Sequence, residues 1–148
     1  MIRDIRSYIM NLRPTRFTGD IGESLAALGH EFRVNSLLET TVYVNGIPPL
    51  DEERSLALFQ IAQEALNNVR RHARASSVTV ELRRDGGDAL LEVRDNGDGF
   101  DPEAERAGDH QGLRNMSSRA RAAGGTLSID SRPRRGTTVR ARVPVSQG

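Results

Sequence analysis

The stretch Gln60–Ala73, reading QIAQEALNNVRRHA, limits the possible folds more than any other part of the chain. Leu58, Ile61, Ala62, Ala65, Leu66 and Val69 recur at helical spacing, so a helix here buries one side. Glu64, Asn68, Arg71 and His72 fall at i, i+4, i+7 and i+8 and share another side. That second side collects a carboxylate, a neutral oxygen ligand, a fixed cation and an imidazole. A solvated helix face more often alternates acid with base. Further along, an apolar strand ends in Asp95-Asn96-Gly97-Asp98-Gly99. Together the two segments suggest one polar pocket with the helix as a wall.

With 148 residues, 36% hydrophobic and 28% charged, the chain can close a single core with a short appendage. The absence of cysteine rules out disulfides and thiolate metal sites. No apolar run approaches the roughly 20 residues of a membrane span. The opening segment is charged and helix-like, unlike a signal peptide. A cytoplasmic domain is expected, with membrane attachment of any parent left open. Every one of the 21 basic residues is arginine, as codon bias in a GC-rich genome would produce. A lysine-dependent phosphate loop is therefore impossible, and a nucleotide must be met by arginine, backbone amides or a metal. The net charge of +1 gives no drive toward nucleic acid, and none is expected as a direct partner.

In chain order, Ile2, Ile5, Ile9 and Leu12 form a helical stripe that Arg13-Pro14 ends. Residues 1–14 read as the end of a longer helix that pairs with another chain or domain, and residues 15–148 as the globular unit. Asp20 with Glu23 suggests a capping box, with Leu25, Leu28 and Phe32 facing inward. Leu37–Val44 is β-rich and ends at the Asn45-Gly46 turn. Pro48-Pro49 breaks the chain before Asp51, which caps a helix over about residues 52–73. Strands are expected at Ser77–Leu82, Ala89–Val93, Thr126–Ile129 and Thr137–Val143, with a hairpin at Asp85-Gly86-Gly87-Asp88. Phe100–Gln111 reads as a mobile loop. Gly112–Ala123 reads as a helix with Leu113, Met116 and Ala120 inward, closed by Gly124-Gly125. The four strands make an open sheet with helices on one face, an α/β two-layer sandwich. No internal repeat or low-complexity tract is present.

Several familiar sites are excluded. Neither G-x-x-x-x-G-K nor G-x-G-x-x-G occurs. Asp95–Gly99 resembles the start of a calcium loop, but Gly97 and Arg106 would occupy positions that need oxygen ligands. His30, His72 and His110 lack the spacing of zinc ligands.

QEALNNVRRHA, DNGDGF, QGLRNMSSRA with a trailing GG, and GTTVRARVP occur in this order and spacing. Together they resemble the ATP-binding catalytic domain of sensor histidine kinases, in the subgroup of nitrate and lipid-fluidity sensors. The resemblance covers about residues 15–145; each motif alone is weak, and the four together are specific. It extends to the ATPase superfamily of gyrase B, MutL and the Hsp90 chaperones. It implies a Bergerat-type fold with a mixed, mostly antiparallel sheet. It also implies that IRSYIMNLRP is the end of a dimerisation helix, and that the chain is a piece of a longer kinase whose Met1 is not the natural start.

The resemblance assigns Asp95 to the exocyclic amine of adenine. Gly97 and Gly99 would let backbone approach the base, where a Cβ would block it. Asn68 would offer an oxygen to Mg²⁺, which also takes phosphate oxygens and waters. Glu64 would orient a water or accept the proton of an attacking imidazole. Asn67, Arg71 and His72 would line the nucleotide, Arg71 standing where a lysine is often found; a plain helix-surface amide is the competing reading for Asn67, and packing alone for His72. Gly112 and Leu113 resemble the second glycine motif, where the free amides of a helix start attract phosphate. The family pattern there is Gly-x-Gly-Leu, and this chain has His110-Gln111-Gly112-Leu113. The departure leaves lid geometry and catalytic competence open. Thr137 or Thr138 would reach adenine through water, or be plain strand residues.

The implied reaction moves the ATP γ-phosphate to a histidine on a separate dimerisation domain, and then to an aspartate of a response regulator. Two other readings share the pocket: an anti-sigma-type serine/threonine kinase, and a non-catalytic nucleotide-binding or interaction module.

Overall fold

A computed structural model describes residues 16–46, 50–99 and 111–145. The expectations for the stripe at 1–14, the break at Pro48-Pro49, the loop from Phe100 and the side chain at His110 lie outside the described residues.

Helix α1 (Ile21–Ser36) starts at Asp20, whose extended backbone lets its carboxylate accept the Glu23 amide at 2.9 Å. The reciprocal half of the expected capping box is replaced: the Asp20 N–H donates to Thr18 Oγ1 at 3.4 Å. The helix ends at Leu37 with φ 63°, where its N–H donates to the Arg33 carbonyl at 2.9 Å. This is the left-handed helix stop that glycine usually fills. Here it holds a leucine that is 88% exposed. Leu37→Gly removes the Cβ strain and is expected to raise stability by about 0.5–1 kcal/mol. A urea midpoint that rises at constant slope is the readout; an unchanged or lower midpoint would contradict it.

Strand β1 (Glu39–Val44) leads to helix α2 (Glu52–Asn68). Asp51 caps α2, accepting the Arg54 amide at 2.8 Å and its guanidinium at 2.9 Å. The sequence pattern runs the helix unbroken to residue 73, but at Val69 it widens into a π-helical turn, Val69–Ala73, which Arg74 closes at φ 50°. Strands β2 (Ser77–Asp85) and β3 (Asp88–Asp95) form the expected hairpin around Gly86-Gly87. Gly86 has φ 64°, which suits a turn that only glycine fills without strain. Helix α3 (Gln111–Ala122) and strands β4 (Thr126–Ser131) and β5 (Thr137–Pro144) complete the described chain.

The sheet order is β1-β2-β3-β5-β4. β1 pairs parallel with β2, and every other pairing is antiparallel. Parallel neighbours need a long crossover, and α2 supplies it. The sheet thus holds five strands, one more than the four counted from the pattern.

The core lies between the sheet and the helices. Val78, Val80 and Leu82 of β2, Ala89, Leu91 and Val93 of β3, and Val139, Ala141 and Val143 of β5 point to one face. Leu25, Leu28 and Phe32 of α1, Leu58, Ile61 and Leu66 of α2, and Met116 and Ala120 of α3 close over them. Phe17 packs against Phe59 with ring centres 5.6 Å apart and the rings tilted by 43°, fixing the entry segment to α2. The expected two-layer sandwich is the observed architecture.

The other face of the sheet is a charge ladder. Glu81 and Glu92 stand directly opposite each other across β2 and β3, an arrangement that repels. Arg83 lies between them, 3.2 Å from Glu81 and 2.8 Å from Glu92, and Arg140 reaches Glu92 at 2.6 Å. Among the described residues no helix is long and apolar enough to cross a membrane.

Candidate functional site

The helix wall is built from α2, its π turn and the start of α3. Glu64 and Arg71 share one side as the spacing predicts, with Arg71 Nη2 3.5 Å from Glu64 Oε2. The contact is loose, at the limit of a hydrogen bond, and the Arg71 side chain is 42% exposed. The π turn adds a residue to the last turn of the wall. The Val69 N–H is shared between the Ala65 and Leu66 carbonyls where the widening begins. Such turns inside helices concentrate at functional sites. The backbone of His72 lies in this turn, and its side chain is outside the described residues.

Gly112, in the first turn of α3, packs directly on Glu64. A Cβ at Gly112 would overlap Glu64 Oε2 and lie 3.1 Å from Cδ. Further along, Arg119 Nη1 donates to Gln60 Oε1 at 2.6 Å. Gly112 against Glu64 and Arg119 against Gln60 make α3 antiparallel to α2. The N-terminal end of α3, where free amides favour negative charge, thus meets the Glu64 carboxylate. Leu113 is half-buried and packs against the core.

Asn68 is half-buried one turn beyond Glu64, and its amide makes no hydrogen bond among the described residues. That leaves its oxygen available to a hard cation. Among the described residues no three His, Cys, Asp or Glu side chains gather as a metal site. Neighbouring Asn67 is exposed on the helix surface, where Arg70 Nη2 lies 3.4 Å from its oxygen.

The strand wall is the end of β3. Asp95 is half-buried, and the Gly97 N–H donates to its Oδ1 at 2.8 Å. Burial pushes its carboxyl above the usual aspartate range, while amide bonds from Gly97 and Thr137 pull the other way without cancelling the effect. Gly97 is buried. Gly99, at φ 69°, packs so tightly that a Cβ would overlap the Arg132 carbonyl and sit 2.9 Å from that of Gly136. A Cβ at Gly136 would in turn overlap the Asp95 carbonyl. The Arg134 N–H donates to the Asp98 carbonyl, fastening the β4–β5 turn onto this loop.

Register separates the two threonines. Thr137 pairs with Asp95 and shares its sheet face, whereas Thr138 pairs with Arg94 on the opposite face. Thr138 therefore does not join Asp95, and the alternation of β5 accounts for it, since Val139, Ala141 and Val143 already mark the inward side. The Thr137 hydroxyl lies 2.7 Å from Ser131 Oγ.

One residue at this wall escaped the sequence reading. Asn96 Oδ1 accepts the amides of Ser76 at 2.9 Å and Ser77 at 3.0 Å. Its Nδ2 donates to Ser76 Oγ at 2.9 Å. Its only sequence signal was its place next to Asp95.

This arrangement belongs to a known class. Residues 53–147 match the family of histidine kinase-, DNA gyrase B- and HSP90-like ATPases. The chain belongs to that family and carries its ATP-binding domain. It is 40% identical over 98% of its length to the sensor histidine kinase MctS of Rhizobium johnstonii, and 35% identical over 96% to the sensor histidine kinase LiaS of Bacillus subtilis. It spans 32% and 39% of those two proteins. The histidine kinase domain of a blue-light activated kinase from Erythrobacter litoralis superposes with a TM-score of 0.75 at 20% identity, over 97% of this chain and 68% of that one. That likeness is one of fold.

Proposed function

We propose that this domain binds Mg-ATP between the two walls and presents the γ-phosphate to a histidine on a dimerisation domain of the same kinase. The observation that carries the reading is the convergence of Glu64, Arg71 and the Gly112 end of α3 on one place. A carboxylate, a guanidinium and the positive end of a helix suit a triphosphate and the proton that leaves as it reacts.

Asp95 accepts the exocyclic amine of adenine, and Thr137 supports it from the same sheet face. Gly97 keeps a side chain off the base, and Gly99 lets the loop close onto the β4–β5 turn beside it. Arg71 contacts phosphate oxygens, and Asn67 and His72 line the neighbouring surface. Gly112 and Leu113 place the start of α3 beside the phosphates. Asn68 would hold Mg²⁺ together with phosphate oxygens and water, and the cation would neutralise charge on the phosphates. The attacking imidazole nitrogen forms a bond to the γ-phosphorus as the bond to the ADP oxygen breaks, and Glu64 takes the imidazole proton. The chain's part is alignment and charge neutralisation. Downstream, the phosphoryl group passes to an aspartate of a response regulator.

The test has two parts. ATP titrated into the chain should bind, and more tightly with Mg²⁺ than with a chelator present. With labelled ATP, phosphate should reach a histidine on a supplied dimerisation domain, and none should stay on this chain alone. Failure to bind ATP would favour an interaction module. Label on serine would favour the anti-sigma type of kinase.

A further inference from the structure

The helix wall and the strand wall come from separate elements, and a nucleotide site needs their spacing fixed. The chain leaves the helix wall through the π turn, passes Arg74 in the left-handed region, and enters β2 at Ser77. This short link carries the end of the helix wall to the sheet. The Ser76 carbonyl accepts the Glu39 amide at 3.1 Å, anchoring the link to β1. Its amides go elsewhere: those of Ser76 and Ser77 both point at Asn96 Oδ1. The Asn96 N–H also donates to the Ser77 carbonyl, at 3.3 Å. With Nδ2 on Ser76 Oγ, Asn96 uses both ends of its carboxamide on a segment 19 or 20 residues away. Two amide donors fix its oxygen on one side, so the orientation of the group is set by the network. Its backbone neighbour is Asp95.

We infer that Asn96 is a positioning residue for the nucleotide. Its carboxamide ties the segment behind the helix wall to the strand end that bears Asp95, and so sets the separation of the two walls. The inference rests on the ATP reading of the site. Asn96 need not touch the ligand; it acts through Asp95 on one side and through the π turn carrying Arg71 on the other. The bonds lie at the surface, so their effect on global stability is small, and their consequence is geometric.

The experiment compares ATP and GTP affinity in the wild-type chain and in Asn96→Ala, Asn96→Asp and Ser76→Ala, each checked for a cooperative thermal transition. Asn96→Ala should weaken ATP binding on the order of tenfold, the loss of about one net hydrogen bond's worth of alignment, and should narrow the preference for ATP over GTP. Asn96→Asp keeps both accepted amide bonds, and the Ser76 hydroxyl can turn to donate, so it should recover most of that preference. Ser76→Ala should show a smaller loss of the same kind. A role in stability alone would lower the melting temperature without moving the ATP-to-GTP ratio. Wild-type binding of ATP with an unchanged ratio in both Asn96→Ala and Ser76→Ala overturns the positioning role. Wild-type failure to bind ATP overturns the site reading beneath it, so the two failures are told apart.

Discussion

Asp95→Asn is expected to weaken ATP binding about a hundredfold while leaving the ligand-free fold as stable as the wild type, or more so. The carboxylate accepts amides from Gly97 and Thr137 and has lone pairs left for the adenine amine. An asparagine has one oxygen. If that oxygen turns to the adenine amine, its NH₂ faces the backbone donors; if it stays with the backbone, its NH₂ faces the base. One donor is stranded either way, a cost of about 2–3 kcal/mol once the bound base shuts out water. Selectivity against purines lacking that amine should fall with it.

The stability half of this prediction follows from charge. Burial raises the Asp95 pKa above its ordinary value in the folded state. A group raised on folding stabilises fully below its unfolded pKa, and that contribution is lost as pH rises through the folded pKa. At neutral pH the fold therefore carries the cost of an ionised, half-buried carboxylate, and a neutral asparagine does not. The melting-temperature advantage of Asp95→Asn should be small in strong acid, grow as pH rises through the acid range, then level off. Undiminished ATP affinity in Asp95→Asn would remove Asp95 from the adenine role. An advantage that shrank with rising pH would contradict the desolvation account. The pairing of better stability with lost binding is what a residue held in place for function predicts.

Much of this fold can be read along the chain because its elements obey one period each. Leu58, Ile61, Ala62, Ala65 and Leu66 recur at helical spacing and are all buried. Val78, Val80 and Leu82 alternate and are all buried. What resists reading is non-local or is a small departure from the period. Nothing in ETTVYV says that its partner lies beyond a whole helix, so the parallel pairing of β1 with β2 emerges only in three dimensions. The π turn begins at buried Val69, the last apolar position of the stripe, so no later position of that stripe marks the added residue. Leu37 takes a left-handed conformation with a residue that does not advertise it. For the candidate site, the shared helix side of Glu64 and Arg71 was legible from their spacing. The packing of Gly112 on Glu64 and the reach of Asn96 to Ser76 depend on distances no spacing rule supplies.

Glu92 sets the largest expected effect on stability outside the core. It is 5% exposed, on the sheet face away from the helices. Burial opposes its ionisation most strongly, yet hydrogen bonds and charge from Arg83 and Arg140 outweigh this and hold its pKa below the usual glutamate range. Glu92→Ala leaves two guanidiniums facing each other across β3 with no acid between them, and Glu81 can compensate only Arg83. Losing one member of a buried ion pair costs about 3–5 kcal/mol, and here Arg83 and Arg140 are 37% and 39% exposed and can turn to water. The expected loss is therefore about 2 kcal/mol at neutral pH, a fall in Tm on the order of 5–8 °C. Because the folded pKa is depressed, the contribution is present above the ordinary glutamate pKa and is lost as pH falls through the folded value. The gap between wild type and Glu92→Ala should thus close in acid. Glu92→Gln keeps the packing and removes the charge, so its loss should be smaller and should vanish over the same range. Equal urea midpoints for wild type and Glu92→Ala at neutral pH would show that the arginines hold the ladder without the acid. Because the ladder lies across the sheet from Asp95, ATP affinity measured well below the melting temperature should be unchanged in both variants.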